Sequence, residues 1–266
     1  MPTLEQNYQS WNNSFPWTKQ GDEWSDEWGS ATNQWYNLVL PRIYHYLPAT
    51  HILEIAPGYG RWTQFLLQHA STLSVVDLSE KCIAHCRERF AAHRHLRYFV
   101  NNGRSLETIA DNTVDFVFSF DSLVHAEYDV ICDYLREIQR VLCPGGFAVI
   151  HHSNLATQHR RLVSKLERRL RKYLSYFGIR YKKPPTHWRA NSVSADLVLE
   201  ATGGLGLTCT AQEVFKWIET PYQTDCISVF WKGKKPGLQT MRFNNDLFQA
   251  DIEKSFQLLK CYRRPQ

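Results

Sequence analysis

The stretch His51-Ile-Leu-Glu-Ile-Ala-Pro-Gly-Tyr-Gly-Arg61 decides how this chain is read. An apolar run enters a tight turn built on Gly58 and Gly60, and a helical pattern follows. Leu73-Ser-Val-Val-Asp77 then supplies a second apolar strand that ends on a lone carboxylate. A strand, a glycine turn, a helix and a strand-terminal acid suit a nucleoside-bearing ligand held at the carboxyl ends of parallel strands. The glycines allow backbone angles and close approaches that a Cβ would block. Asp77 is placed to accept hydrogen bonds from a ribose diol.

The pattern also narrows the ligand. A dinucleotide fingerprint wants a third glycine under the pyrophosphate. Here the run is Gly58-Tyr-Gly60-Arg-Trp-Thr63, and the third glycine is missing. Glu54, four residues before Gly58, would repel a pyrophosphate but suits a ligand carrying an ammonium and a sulfonium. At these residues the chain resembles the class I S-adenosylmethionine-dependent methyltransferases. Glu54 to Gly60 looks like their first motif, and Asp77 like the acid closing their second strand. Asn101-Asn-Gly-Arg-Ser105 stands where their adenine-side loop does. Val114-Asp-Phe-Val-Phe-Ser-Phe-Asp121 resembles the fourth strand, and Val141-Leu-Cys-Pro-Gly-Gly-Phe-Ala-Val-Ile150 the turn and fifth strand.

The resemblance spans roughly residues 50 to 154, with its motifs in order. It implies an α/β, Rossmann-like, doubly wound sheet of seven mostly parallel strands. It also implies cofactor contacts from Glu54, Ala56, Gly58, Gly60, Arg61, Asp77, Leu78, Asn102, Gly103, Phe120 and Asp121.

Periodicity places strands at 51–56, 72–77, 96–101, 114–120 and 146–152. Helices are expected near 61–69, 79–92, 105–110 and 127–142. The last carries Val130, Ile131, Tyr134, Leu135, Ile138 and Leu142 at helical spacing and stops at Pro144-Gly-Gly. Five segments follow. Residues 1–48 form a helical cover, rich in Trp11, Trp17, Trp24, Trp28 and Trp35, with a helix from Ser30 to Tyr46 and a new turn at Pro41. Residues 49–154 are the cofactor-binding core. Residues 155–191 are a basic helical cap and acceptor loop, in which Leu162, Leu166, Leu170 and Leu174 share one face. Residues 192–231 complete the sheet with a helix from Ser194 to Thr202 and strands at 207–217 and 225–231. Residues 232–266 are a tail with an amphipathic helix from Asp246 to Leu259.

Composition agrees with a soluble enzyme: 43% of the 266 residues are hydrophobic and 21% charged. No apolar run reaches the roughly 18 residues of a membrane span, and the amino terminus lacks the pattern of a signal peptide. Seven scattered cysteines without a C-x-x-C pair read as reduced thiols in a cytoplasmic protein. The net charge of +5 is concentrated between Arg160 and Lys183. A cap over the site is the first reading of that segment, with an anionic membrane surface or nucleic acid as the others.

Methyl transfer requires a positioned acceptor and removal of its proton. Phe118-Ser-Phe-Asp121-Ser-Leu-Val-His125 and His151-His152-Ser153-Asn154 end the fourth and fifth strands, where such an acceptor would lie. His125 is the first candidate base and His152 the second, with Asp121 beside them. Asp121, His125 and His152 also compose a mixed donor set for a divalent metal ion, although imidazole is a poor magnesium ligand. Acceptor contacts are expected from His151, Asn154, Trp28, and the loop residues His187, Trp188 and Arg189. Trp188 offers a flat face for a sugar ring, and Arg189 a forked donor for oxygens or a phosphate. The combination is similar to bacterial methyltransferases of sugars and glycans.

The expected activity is therefore O-methylation of a saccharide or related small-molecule hydroxyl. N- or carboxyl methylation of a peptide or metabolite is the second reading, and an RNA-binding methyltransferase-like protein the third. No Asn/Asp-Pro-Pro-Tyr/Phe motif follows the fourth strand, so nucleic acid is not the favoured partner. Neither the acceptor nor the oligomeric state is written in the sequence.

Overall fold

The computed structural model describes residues 3–157, 169–170, 173, 176, 188–217, 222–234 and 237–262. Its centre is one eight-stranded sheet with the order β3-β2-β1-β4-β5-β7-β6-β8. The strands are β1 (Ala49–Ile55), β2 (Ala70–Asp77), β3 (Leu96–Val100), β4 (Val114–Ser119), β5 (Leu142–Ser153), β6 (Leu207–Phe215), β7 (Asp225–Lys232) and β8 (Met241–Asn245). β7 runs antiparallel to both β5 and β6, whereas the other pairings are parallel. Among the described residues the sheet thus has one strand more than the seven expected. The additional strand comes from the tail, where Met241–Asn245 pairs along β6 and leaves Met241 and Phe243 exposed.

Parallel strands are buried on both faces, so their sequences read as nearly continuous apolar runs. Alternation still sorts the side chains. Ile52, Phe116 and Phe118 enter one core, while Leu53, Ile55 and Val117 enter the other. Helix α6 (Tyr128–Val141) lays Ile131, Leu135 and Ile138 on the second core. The first core is covered from both ends of the chain. The amino-terminal side is a helical run whose segments are α2 (Ala31–Gln34), a wide turn at Trp35–Val39, α3 (Leu40–Ile43) and a 3₁₀ turn at Tyr44–Tyr46. Pro41 explains the wide turn. It has no N–H for the helical ladder, and its ring crowds the carbonyl one turn earlier. Arg42 fastens this run to the sheet by a two-pronged bond to Glu213, at 2.6 Å on each side.

The other elements depart from expectation in length more than in kind. The helix after the glycine turn is short, α4 (Thr63–Leu66), continued by a 3₁₀ turn at Leu67–His69. Helix α5 (Glu80–Arg89) starts on Ser79, whose hydroxyl accepts from Cys82 N–H. No helix forms at 105–110. That stretch is a turn in which Asn101 and Asn102 accept backbone N–H groups and Leu106 and Ile109 drop into the core. Helix α1 (Leu4–Tyr8) stands at the start, and helix α7 (Ala195–Ala201) and the tail helix α8 (Phe248–Cys261) follow among the described residues. The basic cap expected over 155–185, apart from isolated positions, and His187 lie outside the described residues.

Trp28 requires a correction. Expected as an acceptor contact, it is 1% exposed and packs edge-on against Phe248, 6.3 Å between ring centroids, in the core beneath α8. Its removal should act on stability alone. Trp28→Ala is expected to cost about 3–5 kcal/mol in a urea melt, with the folded protein binding its ligands as before.

Candidate functional site

In a doubly wound sheet, ligands bind where the strand order changes direction, outside the carboxyl ends of the strands. Here that point lies between β1 and β4, and a cavity of about 520 Å³ opens there. This volume suits a cofactor-sized molecule. Its floor is the turn after β1. Ala56 and Gly58 adopt left-handed backbone angles, φ 56° and 57°, and both line the cavity with Asp77, Leu78 and Gly103. Asp77 is held from two sides. Oδ2 accepts from Gly58 N–H at 3.1 Å and Oδ1 from Ser79 N–H at 2.8 Å. A carboxylate has capacity beyond two bonds. Burial pushes its pKa up to about 6, against the Ser79 and Gly58 N–H groups, which favour the ionised form.

Several expected cofactor residues support the turn from behind rather than line the cavity. Gly60, φ 86°, has no room for a side chain, because a Cβ would stand 2.4 Å from Phe90. Glu54 is 1% exposed and accepts the Thr63 hydroxyl at 2.6 Å. Burial raises its pKa to about 8, so at neutral pH it is mostly the neutral acid, off the cavity wall. Asn102 spends its side-chain oxygen on the N–H groups of Arg104 and Ser105, and it is the neighbouring Gly103 that reaches the cavity.

The other half of the cavity is aromatic and charged. Phe120, Asp121, His125, Trp188, Arg189 and Trp217 line it. Arg61 Nη2 donates to Asp121 at 2.9 Å, while its Nη1 is buried without a partner among the described residues. Asp121 sits at φ 60°. Its backbone N–H donates to His151 Nδ1 at 3.1 Å, so the ring's proton resides on Nε2 and goes to Asp225 at 3.0 Å. Asp225 also accepts from Arg189 Nε at 2.7 Å. Burial opposes the Asp225 charge, but Arg189 and His151 outweigh it and bring its pKa down to about 2.

His125 stands at the cavity wall. Its Nδ1 donates to the Trp188 carbonyl at 3.1 Å, which leaves Nε2 as the basic nitrogen. Burial holds its pKa down to about 4, chiefly by disfavouring the imidazolium, so the ring is neutral at physiological pH. His152 is different. It is fully buried, with Nδ1 on Ser153 O at 2.9 Å and Nε2 on the Ser228 hydroxyl at 2.8 Å, and it does not line the cavity. The second candidate base is therefore a core residue. Alternation along β5 separates the two histidines: His151 turns toward Phe120 and Trp217, His152 toward Ser228. His151 braces the wall without lining it. Asn154 is structural too, since its Oδ1 accepts from Ala195 N–H at the start of α7. With His152 removed, the expected metal set loses a member. Among the described residues, no group of three or more His, Cys, Asp or Glu could hold a metal ion.

The amino-terminal segment forms the roof, through residues other than the tryptophan expected there. Leu4, Asn7, Trp11, Phe15, Trp17 and Trp24 line the cavity. Trp17 stacks on Tyr59 at 4.2 Å, directly above the glycine turn, and Trp11 packs on His125 at 5.4 Å. Asn7 donates to the His125 carbonyl at 3.1 Å, and Asn12 accepts from Ser79 and Lys81. The clustering of tryptophans pointed to this segment. It gave no means of telling Trp24, on the cavity rim, from Trp28 at the end of the same 3₁₀ turn, Glu23–Trp28. Asp225, distant in sequence and outside any motif, carried no signal at all.

Comparison with known proteins agrees with this geometry. Residues 52–146 match the family model described as a methyltransferase domain. The matched segment runs from β1 to the start of β5 and includes the glycine turn and Asp77, which supports an S-adenosylmethionine-dependent methyltransferase. A 105-residue portion is 30% identical to malonyl-[acyl-carrier protein] O-methyltransferase of Pectobacterium atrosepticum, covering 40% of this chain and 38% of that protein. The chain thus aligns with well under half the length of this curated relative. Among solved structures, the N-methyltransferase NodS of Bradyrhizobium japonicum, in complex with S-adenosylhomocysteine, superposes with a TM-score of 0.57 at 17% identity. That superposition covers 88% of this chain and all of NodS. A methyltransferase of Methanosarcina mazei gives a TM-score of 0.53 at 18% identity over 73% of this chain and 98% of its own. At these identities the likeness is one of fold. No helix among the described residues is long and apolar enough to cross a membrane.

The raised pKa of Asp77 gives its expected ribose contact a pH test. If the ionised carboxyl takes the ribose, affinity for S-adenosylhomocysteine should weaken about tenfold between pH 7 and pH 5 as the group protonates. Calorimetry at the two values checks this, and equal affinities would remove Asp77 from the ribose site.

Proposed function

We propose that the protein is an S-adenosylmethionine-dependent O-methyltransferase whose acceptor is a hydroxyl of a saccharide or related small molecule. One observation carries the reading: a single cavity joins the glycine turn and Asp77 to a lip bearing His125, Asp121, Trp188 and Arg189. The cofactor fits this cavity by volume, and a buried Arg61 donor lies on its wall without a partner among the described residues. Ala56, Gly58, Leu78 and Gly103 would hold it, with Asp77 on its ribose and Arg61 on its carboxylate. When bound, it supplies a methyl group activated by the positive sulfur.

The chain's own residues do the rest. The aromatic roof of Trp11, Phe15, Trp17 and Trp24 excludes water and offers faces on which a sugar ring stacks. His125, fixed through Nδ1, keeps Nε2 as the proton acceptor for the attacking hydroxyl. Its low pKa ensures the accepting form at neutral pH and limits its strength as a base.

A specific observation favours a second reading, carboxyl methylation. The relative from Pectobacterium is named for O-methylation of a malonyl group, and a carboxylate acceptor needs no base. Incubation with labelled cofactor and panels of glycans and organic acids separates the two. His125→Ala is expected to lose about a hundredfold or more in turnover of a hydroxyl acceptor while retaining cofactor affinity. Undiminished turnover would remove the base and favour a carboxylate.

A further inference from the structure

Among the residues that line the cavity, Asn7 alone has a buried side-chain oxygen without a partner among the described residues. Asn7 belongs to α1 and is 8% exposed. Its Nδ2 donates to the His125 carbonyl at 3.1 Å. That bond fixes the amide's orientation, since the reverse placement would set two oxygens against each other. Oδ1 is the atom left over. A buried side-chain oxygen is ordinarily hydrogen-bonded, and one left bare is costly until a donor meets it.

Asn7 stands on the side of the cavity where the base of a nucleoside held by Asp77 would lie. Leu4, three residues earlier on the same face of α1, packs closely on Gly103: a Cβ at that glycine would stand 2.8 Å from Leu4. The same Cβ would lie 3.2 Å from Leu78, the neighbour of Asp77. The segment is also fastened along the start of α5. Tyr8 donates to Glu80 at 3.0 Å, and Asn12 accepts from Ser79 and Lys81. It thus reaches from the carboxyl end of β2 to the turn at His125, with Leu4 and Asn7 on the cavity wall. The asparagines of the loop expected on this side have committed their side-chain oxygens. Asn101 Oδ1 accepts from Gly103 N–H, and Asn102 Oδ1 from Arg104 and Ser105.

The adenine of an adenosyl group has one hydrogen-bonding donor, its 6-amino group, while the ring nitrogens accept. With the ribose hydroxyls on Asp77, that amino group is the donor available to this part of the wall. Resting on the reading of the cavity as the cofactor site, we propose that Asn7 Oδ1 receives the adenine 6-amino group of S-adenosylmethionine. The amino-terminal segment is then the part of the chain that selects the base, besides roofing the cavity. A 6-oxo purine meets this oxygen with a second acceptor, and a purine without a 6-substituent leaves it bare.

The test is calorimetry on the full chain with three probes: S-adenosylhomocysteine, S-inosylhomocysteine, and the analogue whose purine carries no 6-substituent. The wild type is expected to bind the adenine compound at least about tenfold more tightly than either of the others. Asn7→Ala and Asn7→Leu should each bring that ratio within about threefold. A side chain that merely props the roof would weaken all three probes alike, so a ratio that survives in either folded variant overturns the proposal. No preference in the wild type overturns it as well. Should neither variant fold, the nuclear Overhauser contact between the 6-amino protons of bound S-adenosylhomocysteine and the Asn7 side-chain amide protons decides, and its absence overturns the assignment. Failure of the wild type to bind S-adenosylhomocysteine would instead overturn the reading of the cavity as the cofactor site.

Discussion

The link between Gly58 N–H and the Asp77 carboxylate is the constraint from which the cavity takes its shape. Parallel pairing of β1 with β2, in register from Ala49↔Ala70 to Ile55↔Val76, brings the two strand ends level. The chain leaving β1 must then turn away sharply, and left-handed angles at Ala56 and Gly58 accomplish this. At Ala56, Pro57 and Gly58 the turn presents backbone and small side chains to the space above, and Tyr59 beside them carries Trp17. Glu54, Gly60, Phe90 and Cys86 pack beneath it and fix its height. Everything described at the acceptor lip is positioned relative to this floor.

The lip depends on a second, fully buried arrangement. His151 bridges the Asp121 backbone and Asp225, and Asp225 in turn holds Arg189. Three separate parts of the chain, the end of β4, the end of β5 and the start of β7, meet with the loop at Trp188–Arg189 in one network. Burying these charges is tolerable because each carboxylate meets a guanidinium or an imidazole N–H. The outcome is a braced wall in which Asp121 sits at φ 60°, a left-handed angle that aspartate takes more readily than most residues.

Much of this was legible in local pattern. Strand runs, the glycine turn, Asp77 and helix α6 are encoded in residues close together in sequence, where periodicity and turn chemistry act directly. The eighth strand was not legible, because Met-Arg-Phe-Asn-Asn places neither Met241 nor Phe243 in a core and is ordered as a strand by its pairing along β6. The histidines show the same limit. Alternation requires His151 and His152 to face opposite ways, but which face carries the cavity is settled by Phe120 and Trp217 on one side and Ser228 on the other. Trp28 and Trp24, four residues apart, divide between core and cavity rim for a similar reason: the partner of Trp28 is Phe248, which comes from the other end of the chain.

By itself, then, the sequence determined the sheet's parallel centre and the glycine turn with its facing acid, since both rest on short-range pattern: the strand runs, the backbone at Gly58 and a strand-terminal carboxylate. Only the tertiary structure decided which aromatic rings roof the cavity, which histidine reaches it, and that Asp225 braces its wall. Those are matters of long-range packing and of pairing buried charges, and neither leaves a mark in the spacing of neighbouring residues.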